Sequence, residues 1–175
     1  VYNFAWLDRV VDELIARGMR PWICLCYGND LYTESAKQVF GAVGCPPIFT
    51  DEEKTAWANY VRATVKHYEG RVTHYEIWNE PDGKWCWKHG VSAEEYGRFA
   101  HDTAKAIREV SDDAFIIGGS VCMIWDLSYM DTALSAGMAG SVDAVTFHEY
   151  TADETALYTH VPALEALIHL HDPKI

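Results

Sequence analysis

Basic side chains are scarce. Fourteen Lys and Arg stand against 26 Asp and Glu, for a net charge of −12. That sign disfavours non-specific binding to nucleic acid or to an anionic membrane surface. No run of about 18 uncharged apolar residues occurs, so no membrane-spanning helix is written. Cysteine is sparse too: residues 24, 26, 45, 86 and 122 form no CxxC pair, which excludes a zinc knuckle and a thioredoxin-type centre. Five thiols cannot all pair within one chain, a mild pointer to a reducing compartment that leaves localisation open. Neither GxGxxG nor GxxxxGK[ST] appears, so the phosphate-cradling loops of dinucleotide- and nucleotide-binding sheets are lacking. The pairs His67 with His74 and His169 with His171 have no third ligand at useful spacing. No metal and no cofactor is expected.

What is present is enough to fold. With 175 residues, 49 % of them apolar, the chain can bury the core of one domain. Leu7, Val10, Val11, Leu14 and Ile15 share a helical stripe closed by Gly18. The uncharged run Pro21 to Tyr27 predicts a strand covered on both faces. A loop to about Pro47 separates it from a capping box, Thr50 with Glu53. Behind that box Trp57, Tyr60, Val61, Thr64, Val65 and Tyr68 form the buried stripe of a second helix. Strand Val72 to Asn79 follows. A second capping box, Ser92 with Glu95, opens a helix carrying Tyr96, Phe99, Ala100, Thr103 and Ile107 inward. Strand Phe115 to Ser120, a short helix from Leu127 to Ala136, strand Asp143 to Tyr150 and a helix over 155–170 complete the series. Pro162 is expected to divide that last helix, and Pro173 to Ile175 to open another strand. Trp6, Trp22 and Trp57 lie inside elements and are expected in the core.

Strict alternation of strand and helix implies parallel β/α units. Without a glycine-rich first turn, the preferred architecture is the TIM (β/α)8 barrel, which needs roughly 200–250 residues. Four strands and the start of a fifth make about half of one. Val1 is not an initiator methionine, and both ends read as cut from something longer; residues 1–175 are taken as part of one barrel domain.

The densest chemistry lies in His74-Tyr75-Glu76-Ile77-Trp78-Asn79-Glu80-Pro81-Asp82. Alternation puts Tyr75 and Ile77 toward the helices and His74, Glu76, Trp78 and Glu80 toward the interior. Pro81 is expected to hold Glu80 extended at the strand end, where barrels carry their catalytic groups. A neighbouring carboxylate and partial burial would raise its pKa, as a proton donor requires. Along Asp143 to Tyr150, Thr146, His148 and Tyr150 share the inward face, either lining a site or satisfied within a core. Glu149 falls outward, and Glu76, inward at mid-strand, is read as structural. Gly118-Gly119-Ser120 marks a place where backbone comes close to something. Aromatic side chains with flat faces and polar tips follow three strands: Tyr27 and Tyr32, Trp85 and Trp87, and Trp125.

Tyr-Glu-Ile-Trp-Asn-Glu-Pro (75–81) resembles the strand-four signature of retaining glycoside hydrolases on (β/α)8 barrels. With the long loop before it and Phe-His-Glu-Tyr (147–150) after, the chain most resembles family 39, the β-xylosidase and α-L-iduronidase family. The resemblance implies a carbohydrate substrate, Glu80 as general acid/base and Asn79 on the sugar 2-hydroxyl. It places His148 and Tyr150 on strand six around the cleavage subsite, and it implies a nucleophilic Glu at the end of strand seven, beyond Ile175. The chain would then span strand three to the start of strand seven. A non-catalytic carbohydrate-binding or pseudo-enzyme module is the alternative. Sugar specificity and oligomeric state are not written in these residues.

Overall fold

The computed structural model describes residues 1–32 and 41–175; the middle of the long loop expected after the first strand, residues 33–40, lies outside the described residues. The order is α1 (Ala5–Ala16), β1 (Trp22–Leu25), α2 (Asp51–His67), β2 (His74–Ile77), α3 (Ala93–Arg108), β3 (Phe115–Val121), α4 (Leu127–Ala133), β4 (Ala144–Phe147) and α5 (Leu157–His171). The strands form one parallel sheet in sequential order, β1-β2-β3-β4. Trp22 pairs with His74, His74 with Phe115, and Ile117 with Ala144. Each helix returns the chain to the same end of the sheet, so every strand points its C-terminus toward the same rim.

Local chemistry sets the helix starts. Thr50 Oγ1 accepts from the Glu53 N–H at 3.1 Å, and the Glu53 carboxylate accepts from the Thr50 N–H at 3.3 Å, completing the predicted box. At α3 only half of the second box forms: Ser92 Oγ caps the Glu95 N–H, while the Glu95 carboxylate takes the Trp87 indole N–H at 3.5 Å. The predicted inward stripes of α2 and α3 supply the core, with Trp57, Val61 and Val65 packed near Tyr96, Phe99 and Ile107. Trp57 Nε1–H donates to Thr103 Oγ1 at 2.9 Å, satisfying the indole inside that core.

Several expectations give way. Trp6 and Trp22 are 73 % and 54 % exposed. The reason is position: β1 ends the sheet, so only Ile23 and Leu25 of that strand are buried. Helix α1 buries Val11 alone and is tied to the body by Asp8, which meets His67 Nε2 at 2.7 Å and Arg71 at 3.2 Å, and by Asp12, which meets Arg71 at 3.0 Å. Pro162 sits within α5 without dividing it. The last residues form a turn rather than a strand, with the Ile175 N–H directed at the Asp172 carbonyl at 3.4 Å.

Candidate active site

Strand alternation holds through Ile77 and then stops. Tyr75 and Ile77 are buried toward the helices, and Glu76 lies on the opposite face, where it accepts from Thr146 Oγ1 at 2.6 Å. At Trp78 the backbone turns left-handed, with φ of 64°. Its indole therefore packs on the helix side, against Trp57, Trp87 and Phe99, and not in the interior as parity predicted. Glu80 is left-handed as well, at φ 46°, rather than extended before Pro81. Such backbone costs about 1–2 kcal/mol per residue, and it is held in place by neighbours. The Glu80 N–H donates to the Ser120 carbonyl at 3.0 Å, and the Gly83 N–H to the Glu80 carbonyl at 3.0 Å. Two kinks, not a strand period, return the carboxylate to the rim of the sheet.

There it is ringed by donors. Tyr150 OH donates to Oε1 at 2.7 Å and His148 Nδ1–H to the same oxygen at 2.9 Å, while Trp85 Nε1–H donates to Oε2. Glu80 is buried at 8 % exposure, so these bonds form largely out of water. Burial pushes its pKa up, but the bonds from His148, Tyr150 and Trp85 together outweigh burial and leave it below the ordinary carboxylate range. The direction is opposite to the sequence expectation. The donors that reverse it come mainly from the residues just after β4, about 70 positions downstream. The Tyr150 hydroxyl is correspondingly pushed up by its bond to Glu80.

β3 lies between β2 and β4, yet their side chains meet across it. Gly119 occupies the level of Thr146 in the pairing register. A β-carbon there would approach the Thr146 carbonyl oxygen at 2.6 Å and Val145 Cγ1 at 2.7 Å, at a φ of +89°. Glycine is thus required, as the Gly118-Gly119-Ser120 reading anticipated. Ser120, also buried, places its Oγ 3.4 Å from His148 Nε2. His148 is further held by its N–H, which donates to the Val121 carbonyl at 2.7 Å.

The aromatic candidates separate. Trp85 is half exposed, its ring laid against Gly83 so closely that a β-carbon there would strike it. Trp125 is exposed at the end of β3, and Tyr32 is exposed after β1. Tyr27 is half-buried, edge-on to Trp78 at 5.3 Å. Trp87 is fully buried among Trp78, Tyr96 and Phe99 and offers no face to a sugar, contrary to the sequence reading. Asn79 is half-buried beside Glu80, its Nδ2 donating to Cys86 Sγ at 3.5 Å. Sequence reasoning passed over Asp82, which is buried and bonded to the start of the β3–α4 loop. Its only signal was an acidic residue in a Pro-Asp-Gly turn, which any surface turn would share. Among the described residues no three His, Cys, Asp or Glu side chains are grouped as a metal ion would require.

Parallel β/α units with a buried, donor-ringed carboxylate at the carboxyl ends of the strands define a segment of a (β/α)8-barrel. The model of the glycosyl hydrolases family 39 matches residues 1–168, and the chain belongs to that family. It is 29 % identical over 161 residues to a beta-xylosidase of Geobacillus stearothermophilus, covering 86 % of this chain and 31 % of that protein. A beta-xylosidase of Caldicellulosiruptor saccharolyticus is 28 % identical over 163 residues, covering 87 % and 32 %. The crystal structure of the GH39 enzyme from Xanthomonas axonopodis pv. citri superposes with a TM-score of 0.78 at 21 % identity, over 97 % of this chain and 37 % of that one. The chain spans about a third of the length of the curated relatives it matches.

Proposed function

We propose that the chain is the central part of a retaining glycosidase acting on β-xylosides, with Glu80 as its general acid/base. The observation that carries this reading is the Glu80 carboxylate itself: buried, at the strand ends, within Asn-Glu-Pro of a family 39 chain, and fixed by Trp85, His148 and Tyr150. A glycosidic oxygen leaves readily only if protonated as its bond breaks. A second carboxylate about 5–5.5 Å away then forms the glycosyl-enzyme intermediate, and Glu80 deprotonates the water that releases it. That nucleophile is assigned to the continuation of the barrel after Ile175.

The depressed pKa of Glu80 gives the second carboxylate another task. A negative charge at that separation disfavours ionisation of Glu80 and opposes the three donors, restoring the protonated form that the first step consumes. Asn79, adjacent and half-buried, is assigned to the sugar 2-hydroxyl, and Trp85 and Trp125 to stacking on sugar faces. The relatives named as beta-xylosidases support xylosides as substrates.

Replacing Glu80 by Gln in the longer protein should abolish turnover of an unactivated xyloside. Azide should rescue hydrolysis of an activated aryl xyloside by capturing the intermediate without base assistance. Undiminished turnover of the unactivated substrate refutes the reading. A non-catalytic sugar-binding module is the second reading, favoured by the donors that keep Glu80 ionised. The residues following Ile175 decide between them: a strand ending in Glu supports the enzyme, and a non-carboxylate there supports the binder.

A further inference from the structure

Two residues past Glu80 lies a carboxylate that the proposed chemistry leaves unused. Asp82 is 2 % exposed, and both its oxygens are occupied. The Cys122 N–H donates to Oδ1 at 3.0 Å and to Oδ2 at 2.9 Å, the Met123 N–H to Oδ2 at 2.8 Å, and the Cys122 thiol to Oδ1 at 3.4 Å. Backbone N–H groups are the partners that make a buried carboxylate without a counter-cation tolerable. They are also the first donors after β3. The chain then closes a turn, the Asp126 N–H bonding the Met123 carbonyl at 3.1 Å, and Asp126 caps α4 through the Ser128 N–H at 3.1 Å. The turn is thus anchored at both ends, by Asp82 and by the α4 cap. Between the anchors it presents one large exposed side chain, Trp125.

We propose that Asp82 is a positioning residue that fixes Trp125, on the strand end next to Glu80, as the platform for the leaving-group sugar. The proposal rests on the glycosidase reading above. A proton donor faces the leaving group, so an aromatic face on the adjoining strand end meets the sugar that departs. Pro81-Asp82 joins the two directly: the residue that carries the proton and the residue that holds the turn are two positions apart. Moving Asp82 would therefore shift Trp125 relative to Glu80 without touching either.

The test is kinetic, in the longer protein, with xylobiose and β-xylosyl fluoride as substrates. The fluoride has a leaving group of one atom and cannot use a platform. Asp82→Asn sets an amide N–H against backbone N–H donors and should lower the xylobiose-to-fluoride ratio of kcat/KM by about tenfold, the size of one aromatic stacking contact. The loss should fall on KM for xylobiose. Trp125→Ala should lower the ratio similarly, and the double variant no further than Trp125→Ala alone, because the two act as one unit. Asp82→Ser, which keeps a single acceptor, should give a smaller fall and serves if Asp82→Asn does not fold. Equal losses on both substrates, losses that multiply in the double variant, or an unchanged ratio in Trp125→Ala would overturn the proposal. Glu80→Gln assayed alongside separates the two levels. If it stays fully active, the glycosidase reading falls; if it is inactive while the Asp82 and Trp125 ratios hold at wild type, only this inference falls.

Discussion

Glu80 accepts from three donors on two different segments, Trp85 in its own loop and His148 with Tyr150 beyond β4. The bonds lower its pKa in the folded chain, which links the site to stability. A group with a depressed folded pKa contributes stability that is present above its unfolded pKa and lost as the pH falls through the folded one. The chain should therefore be more stable than its Glu80→Gln variant by about 1–3 kcal/mol above roughly pH 5, through bonds to a charged acceptor. The gap should close as the pH drops below the ordinary carboxylate range. Urea denaturation of both proteins across that range measures it, and a gap constant with pH would contradict the assignment. Tyr150→Phe, which removes one donor, should move the closure to higher pH. Asp82 carries the parallel prediction for specificity: its amide variant should distort the choice of leaving group while Glu80 remains in place.

Helix α3 reaches between two strands with one hydroxyl. Tyr96 OH donates to the Ile77 carbonyl at 3.1 Å and accepts from the Gly119 N–H at 2.9 Å, fully buried. Tyr96→Phe leaves both backbone groups without that partner and should destabilise the chain by about 1–3 kcal/mol. The Glu80 loop, which follows Ile77, should loosen with it. Amide hydrogen exchange at Gly119 and Glu80, compared with global unfolding, tests whether the effect is local. Much at this scale was legible. The α2 and α3 stripes and the Thr50 box have fixed spacings, and within β2 and β4 a period of two placed Glu76, Thr146 and Phe147 on their observed faces. Of the α1 stripe only Val11 is buried, and Val10 and Ile15 are exposed. Past the end of β4 the period still puts His148 and Tyr150 on the Glu80 side, whereas past Ile77 in β2 it fails. Trp78 and Glu80 adopt left-handed backbone, so one lies on the side opposite to its parity and the other regains its face by a different route. Trp85 and Trp87 are two positions apart in an aperiodic loop. One faces solvent and the other the core, a difference set by contacts with α3. The pKa direction at Glu80 and the burial of Asp82 arise from partners dozens of residues away, beyond any local pattern.

At the scale of the whole chain, β1 and β4 each terminate the sheet, and Trp6, Trp22 and Leu170 stand in solvent. The 175-residue polypeptide on its own should bind an apolar-surface dye and associate as concentration rises, despite a net charge of −12. Sedimentation at increasing concentration measures this, and replacing Trp6 and Trp22 by Lys should suppress it. On the function proposed above, the same polypeptide should show no turnover of an aryl xyloside, because a retaining reaction needs both carboxylates. Joining it to the remainder of the barrel should restore activity. What lets β3 lie so close against β4 is the bare α-carbon at Gly119. Any methyl group there would press on the Thr146 backbone and the Val145 side chain and force β4 away from β3. His148 and Tyr150 follow β4 directly, so a substitution at a residue without a side chain would displace the donors of Glu80 while leaving every one of them chemically intact.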